Sequence, residues 1–129
     1  MPTYVTDNTI SALSKALQGQ ALRQRTIANN LANVDTPGYK PQRVDFEAQL
    51  RHALASAEDG NPASSAVIDA LRPQATTPPS PALRRDGNAV DLETEMVELA
   101  ESSTHYNALL RLLSKKLQML KSVATEGGK

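Results

Sequence analysis

With 129 residues there is room for one ordinary domain, but only 3% of the chain is aromatic, which leaves Tyr4, Tyr39, Tyr106 and Phe46 as the large rings available to a core. Lys and Arg together number 14 and Asp and Glu also 14, so no net field draws the chain to nucleic acid or to an anionic membrane surface. The absence of cysteine excludes disulfides, thiolate catalysis and Cys-ligated metals together.

Leucine and alanine dominate what apolar content remains, which favours helices packed side by side over a thick globular core. The opening residues Met1 to Asp7 hold no basic stretch followed by an apolar run, so no cleavable secretory signal is expected. No apolar stretch approaches the roughly 20 residues that span a bilayer.

From about Thr9 to Val34, Ile10, Leu13, Leu17, Ile27, Leu31 and Val34 recur at helical spacing and predict the first helix. Gln20 and Gln24 interrupt this stripe, either as a register device or, on the plainer reading, where the seam turns to solvent. Asn8 or Thr9 can cap the start. The helix should end near Asn33 to Asp35, because Pro37 disfavours a helical conformation at Thr36.

The next stretch, Val44 to Ala57, holds Phe46, Leu50, Ala53 and Leu54, a short stripe able to form a few helical turns on binding. Beyond Glu58, prolines 62, 73, 78, 79 and 81 stand among Gly, Ser, Ala and Thr. So little apolar surface does not offset ordering entropy, and an extended or disordered loop is expected as far as Leu83. Such a loop should tolerate change, including deletion of Pro73 to Pro79.

The C-terminal third carries the strongest periodicity. Leu92, Met96, Leu99, Ser103, Tyr106, Leu110, Leu113, Leu117, Leu120 and Ala124 alternate in steps of four and three, which predicts a helical seam with Ser103 as its polar member. Asp91 is the candidate N-cap. Acidic residues crowd the first turns and Arg111, Lys115, Lys116 and Lys121 lie toward the end, in the order that complements a helix dipole. From Asp91 to Val123 the helix would be about 50 Å long. Val97, Leu109, Leu112, Met119 and Val123 widen the apolar surface beyond one seam, and such a helix requires more than one partner.

The predicted fold class is therefore all-α: two long terminal helices packed as an antiparallel, coiled-coil-like hairpin, joined by an irregular, Pro-rich, partly disordered middle. The divisions are residues 1–36, 37–90 and 91–129. Two helices alone cannot cover such wide apolar faces, so self-assembly or a helical partner follows.

An enzyme reading has little to rest on. His52 and His105 lie in separate segments, and Glu95, Glu98 and Glu101, which recur every three residues, read as a solvated acidic face in the absence of a nearby histidine. There is no Gly-rich phosphate loop or nucleophile motif, so neither a cofactor nor a small-molecule substrate is expected. A helical-hairpin adaptor or export chaperone binding a partner helix is the alternative from another class.

Where the first helix ends stands Ile27-Ala28-Asn29-Asn30-Leu31-Ala32-Asn33-Val34-Asp35-Thr36-Pro37-Gly38-Tyr39-Lys40. Physically this is a helix terminus followed by a turn in which Pro37 fixes φ and Gly38 accepts a positive φ. Asn29, Asn30 and Asn33 gather amides that either bond across subunits to set register or cap the helix's own carbonyls. The whole string resembles the signature of the axial proteins of the bacterial flagellum, the rod, hook and hook-associated family. Val44-Asp45-Phe46 and the block from Asp86 to Met96 extend the resemblance, which covers roughly Ala21 to Phe46 and Asp86 to Lys121. Val34 departs from it, since family members more often carry Ala there.

That resemblance implies a short structural subunit of the proximal rod, exported by the flagellar type III apparatus, with no enzymatic activity. It implies copies of itself, the rod proteins FlgC, FlgF and FlgG, FliE, and the membrane ring and export gate as neighbours, in the periplasmic part of the basal body. Asn29, Asn30, Asn33, Thr36, Pro37, Gly38 and Tyr39 would form the assembly motif. Leu92, Met96, Leu99, Tyr106, Leu110, Leu113, Leu117 and Leu120 would form the interface seam.

Overall fold

The computed structural model describes residues 3–57, 64–79 and 90–127. Six elements follow in chain order: α1 (Thr3–Ala32), β1 (Arg43–Val44), α2 (Glu47–Ala57), α3 (Ser64–Asp69), β2 (Ala75–Thr76) and α4 (Leu92–Gly127). The protein is mostly helical, as its Leu and Ala content implies, and none of these helices is long and apolar enough to cross a membrane.

The first helix starts at Thr3, ahead of the expected Thr9, since residues 3–8 contain neither Gly nor Pro to oppose it. At its other end the backbone tightens, with Asn33 N donating to the carbonyls of both Asn29 and Asn30 at 3.2 Å and Val34 N to Leu31 O at 3.2 Å. The start of α4 is capped by Asp91, whose Oδ1 accepts from Glu93 N at 3.0 Å and Thr94 N at 3.4 Å.

Contacts between the long helices progress in opposite directions along the two helices. Glu95 meets Asn30, Ser102 meets Gln20, and Leu109 packs on the cluster that contains Ala16. At 1.5 Å per residue, the 30 residues of α1 extend about 45 Å and the 36 of α4 about 54 Å.

The core is not confined to this pair. One cluster joins Ala16 of α1 to Val44 and Phe46, with Leu22, Leu50, Ala75 and Leu109 packed around them. A second joins Ala53 to Ile68, backed by Leu50 and Leu71. Here the structure departs from the expected irregular loop. In its described part, residues 64–79, that loop forms α3 and β2, and β2 pairs antiparallel with β1 in the register Arg43 to Thr76 and Val44 to Ala75. Ile68 is fully buried, and it supplies apolar burial that composition alone hides. Deleting Pro73 to Pro79 would remove β2 and Ala75, so the stretch carries packed structure that the sequence reading did not expect. The remaining parts of the loop, and residues 86–89 of the C-terminal block, lie outside the described residues.

Gly19 explains how Phe46 finds its seat. A glycine inside a helix costs about 1 kcal/mol relative to alanine. Here a Cβ at position 19 would fall within the van der Waals envelope of the Phe46 ring. The ring, only 5% exposed, therefore lies directly on the backbone of α1. Gly19→Val is expected to destabilise the fold by about 1–3 kcal/mol through overpacking, read by urea denaturation. In a Phe46→Ala background, Gly19→Ala should instead be neutral or stabilising by up to about 1 kcal/mol, because only the helix propensity term remains.

Candidate functional site

The turn that follows α1 folds back on that helix. Tyr39 N donates to Thr36 O at 3.3 Å, closing a four-residue turn in which Gly38 has φ +77°. That is the third-position conformation expected of Pro37-Gly38. Asn33 holds the turn's entry. Its Nδ2 donates to Asn29 O at 2.8 Å and its Oδ1 accepts from Thr36 Oγ1 at 3.1 Å.

Asn30 has no exposed surface, and all four hydrogen-bonding positions of its amide are filled. Oδ1 accepts from Gln42 N at 3.0 Å and from the Tyr39 hydroxyl at 3.1 Å. Nδ2 donates to Gln42 O at 2.9 Å and to Glu95 Oε2 at 3.2 Å. One side chain thus ties together α1, the strand-side limb of the turn and α4.

Glu95 is equally buried, and an isolated carboxylate there would be costly. Arg43, at the start of β1, places Nη2 2.6 Å from Glu95 Oε1, with Nη1 3.8 Å from Glu98 Oε2. The acidic face expected of Glu95, Glu98 and Glu101 is therefore not uniformly solvated: Glu95 is buried, Glu98 is half-buried and Glu101 is exposed. The neighbouring pairing carries the next polar link, Ser102 Oγ donating to Gln20 Oε1 at 2.7 Å with both side chains buried. Gln20 does not turn to solvent.

Arg23 anchors the same limb farther along α1. Its Nη2 donates to Val44 O at 2.6 Å and its Nη1 lies 2.6 Å from Glu47 Oε1, while the guanidinium carbon stands 5.0 Å from the Phe46 ring centroid. Burial alone would raise the Glu47 carboxyl. Hydrogen bonds from Arg23 and from the backbone, with the Arg23 charge, outweigh it and hold the group below its ordinary value.

The residues of the sequence motif thus separate. Asn30 and Tyr39 enter the junction, Asn33 and Thr36 fasten the turn, and Asn29, Pro37 and Gly38 are exposed. Sequence reasoning left Gln20 between a register device and a solvent-facing break, read Glu95 as part of a solvated acidic face, and missed Arg23, Gln42 and Arg43 altogether. Only Gln20 left a signal, as a polar break in an apolar stripe.

The expected seam of α4 is also redistributed. Leu99, Tyr106, Leu113 and Leu120 are half-buried, whereas Leu92, Met96, Leu110 and Leu117 are 44–58% exposed. The least exposed stripe runs instead through Glu95, Leu99, Ser102, Tyr106, Leu109, Leu113, Lys116 and Leu120, with Glu98 and Ser103 at its borders. His52 and His105 are exposed on α2 and α4, and no group of three acidic or histidine side chains suited to a metal occurs among the described residues.

Comparison with known proteins gives this geometry a context. Residues 10–40, the span from α1 through the turn, match the family model described as flagella basal body rod protein. The chain is similar to the flagellar basal body rod protein FlgB of Bacillus subtilis, at 34% identity over 92% of this chain and 95% of the relative. It is 31% identical to FlgB of Escherichia coli over 88% of this chain and 90% of the relative. The FlgB of Salmonella typhimurium is 32% identical over the same shares.

Three outcomes test the junction. Asn30→Ala orphans a buried carboxylate oxygen and a backbone amide, and is expected to destabilise the fold by about 3 kcal/mol or more in chemical denaturation. Gly38→Val should cost about 1–2 kcal/mol through backbone strain alone, since no atom lies within 4 Å of a Cβ there, while Lys40→Ala should fall within about 0.5 kcal/mol of the parent. Glu47 has a depressed folded value, so between that value and the unfolded one the unfolded state binds more protons. Its stabilisation is present above the unfolded value, near 4.5, and is lost as pH falls through the folded one. Glu47→Gln should flatten this acid-side slope, and added salt should shrink the difference because the carboxylate is partly exposed.

Proposed function

The chain belongs to the FlgB family of flagellar basal body rod proteins, and from that premise we propose how its surface builds a rod. It is a structural subunit of the basal body rod. Its terminal helices pack against copies of itself and against helices of the adjoining rod proteins, FlgC, FlgF and FlgG, with FliE and the membrane ring at the base. Export through the flagellar type III apparatus brings it to the proximal, periplasmic part of the rod.

The observation that carries this reading is the exposed apolar surface of α4. Leu92, Met96, Leu110 and Leu117 lie along one flank of the helix, and Leu112, Met119 and Val123 along the other, with α1 covering the stripe between. Helices with two apolar flanks pack between two neighbours, and contacts repeated from subunit to subunit in this way build a ring or a helical array, the geometry a rod requires. The exposed acidic and basic residues of the same helix balance, which allows like subunits to approach.

Position decides what each substitution does. Leu117 is 50% exposed at the edge of the covered stripe, so Leu117→Asp is expected to cost the isolated chain no more than about 1 kcal/mol, well below its cost in the assembly. In the assembly the same charge enters an apolar contact, at a cost of several kcal/mol per interface. Cells carrying Leu117→Asp should make the subunit and lack rods in isolated basal bodies. Leu113→Asp should lose both chain stability and rods, because Leu113 is half-buried already. Normal rods and swimming in the Leu117→Asp strain would contradict this role for the flank.

A further inference from the structure

Two stripes run along α4 in the same rhythm, one residue apart. The inward set is Glu95, Ser102, Leu109 and Lys116, and the set turned farther outward is Met96, Leu110 and Leu117 with half-buried Ser103. Leu99, Tyr106, Leu113 and Leu120 lie between them and serve a seam centred on either. At the two middle levels the sets are chemically the same, serine with serine and leucine with leucine. They differ only at the ends. There, apolar burial favours the outward set, since turning α4 about its axis would bring Met96 and Leu117 inward in place of a carboxylate and an ammonium.

The helix nevertheless presents the more polar set to α1. Ser103 is able to replace Ser102 opposite Gln20, and Leu110 to replace Leu109, so neither level holds the observed orientation. Glu95 has no such substitute. Asn30 donates to its Oε2 at 3.2 Å, Arg43 approaches its Oε1 to 2.6 Å, and both Asn30 and Glu95 have no exposed surface. With α4 turned by one position, Met96 would meet these groups, and it offers only a weak acceptor to a buried amide and a guanidinium.

We propose that Glu95, read by Asn30 and Arg43, selects which face of α4 turns toward α1 and so keeps the Met96, Leu110 and Leu117 stripe on the outside. Selection is a property of the single chain. That the spared stripe receives a second copy rests on the rod-subunit reading above. Arg43 belongs to β1, which pairs with β2, so the middle segment contributes to the choice.

Because the chain has no cysteine, single thiols report the orientation directly. Leu109→Cys and Leu110→Cys are introduced separately in dilute full-length protein and labelled with a maleimide, with Ala53→Cys, in the separate α2–α3 cluster, as the reporter of an intact fold. In the native background the thiol at 110 should react faster than that at 109, on the order of tenfold, as local opening gates the covered position. Moving the carboxylate by one residue, Glu95→Met with Met96→Glu, should invert the order while position 53 stays protected. Glu95→Met alone should narrow the difference. An unchanged order in the exchanged chain, or an unchanged difference in Glu95→Met, would overturn the proposal. So would loss of protection at position 53 in the exchanged chain, since Glu95 would then hold the fold rather than choose a face. None of these readouts involves rod formation, so the Leu117→Asp result stands or falls separately.

Discussion

The buried amide of Asn30 is the constraint from which the rest of the structure follows. An amide in water exchanges partners freely, but one with no exposed surface requires every donor and acceptor to be met at fixed positions. Meeting them brings the Tyr39 hydroxyl, both polar groups of the Gln42 backbone and the Glu95 carboxylate to one point. The turn therefore returns toward α1, and α4 adopts one height and one orientation beside it. Arg43 completes the arrangement, because the buried carboxylate that serves Asn30 requires a positive partner of its own.

From this junction the two halves of the molecule acquire different tasks. The limb through β1 and Phe46 carries apolar side chains onto Gly19 and Ala16, and α2 with α3 closes the second cluster behind it. These contacts use up the inward side of α1 and the middle segment. Of the large apolar side chains still exposed among the described residues, Leu54 and Val67 lie on α2 and α3, and the rest are on α4, mostly on the two flanks of the stripe that α1 covers. A subunit of a rod needs that division, with intramolecular contacts polar enough to be specific and intermolecular surfaces apolar enough to be adhesive.

Much of this was legible in residue pattern and turn chemistry. Asp91 as a cap, the end of α1 ahead of Pro37 and the positive φ of Gly38 follow from local rules that tertiary packing did not override. The orientation of α4 was not legible, because Ser102 with Ser103 and Leu109 with Leu110 make two seams of equal rhythm, and the decision falls to a carboxylate whose partner is 65 positions away in sequence. Gly19 was silent for the same reason: its meaning depends on a ring that arrives from beyond the turn. The Pro-rich segment misled in the opposite sense. Its composition predicts no packing, yet Ile68 is fully buried and Ala75 packs on the core, so two small contacts with distant residues suffice to shape it. The Asn-rich motif gave the location of the junction while leaving open which of its amides did the work.

A density map of the assembled rod at side-chain resolution tests the central claim most directly. The account expects the Asn30 amide to be bonded to Tyr39, Gln42 and Glu95 of its own chain, with the flanks bearing Leu117 and Met119 covered by neighbouring subunits. A map in which Asn30 bonds to a different subunit, or in which both flanks of α4 face solvent, would contradict it.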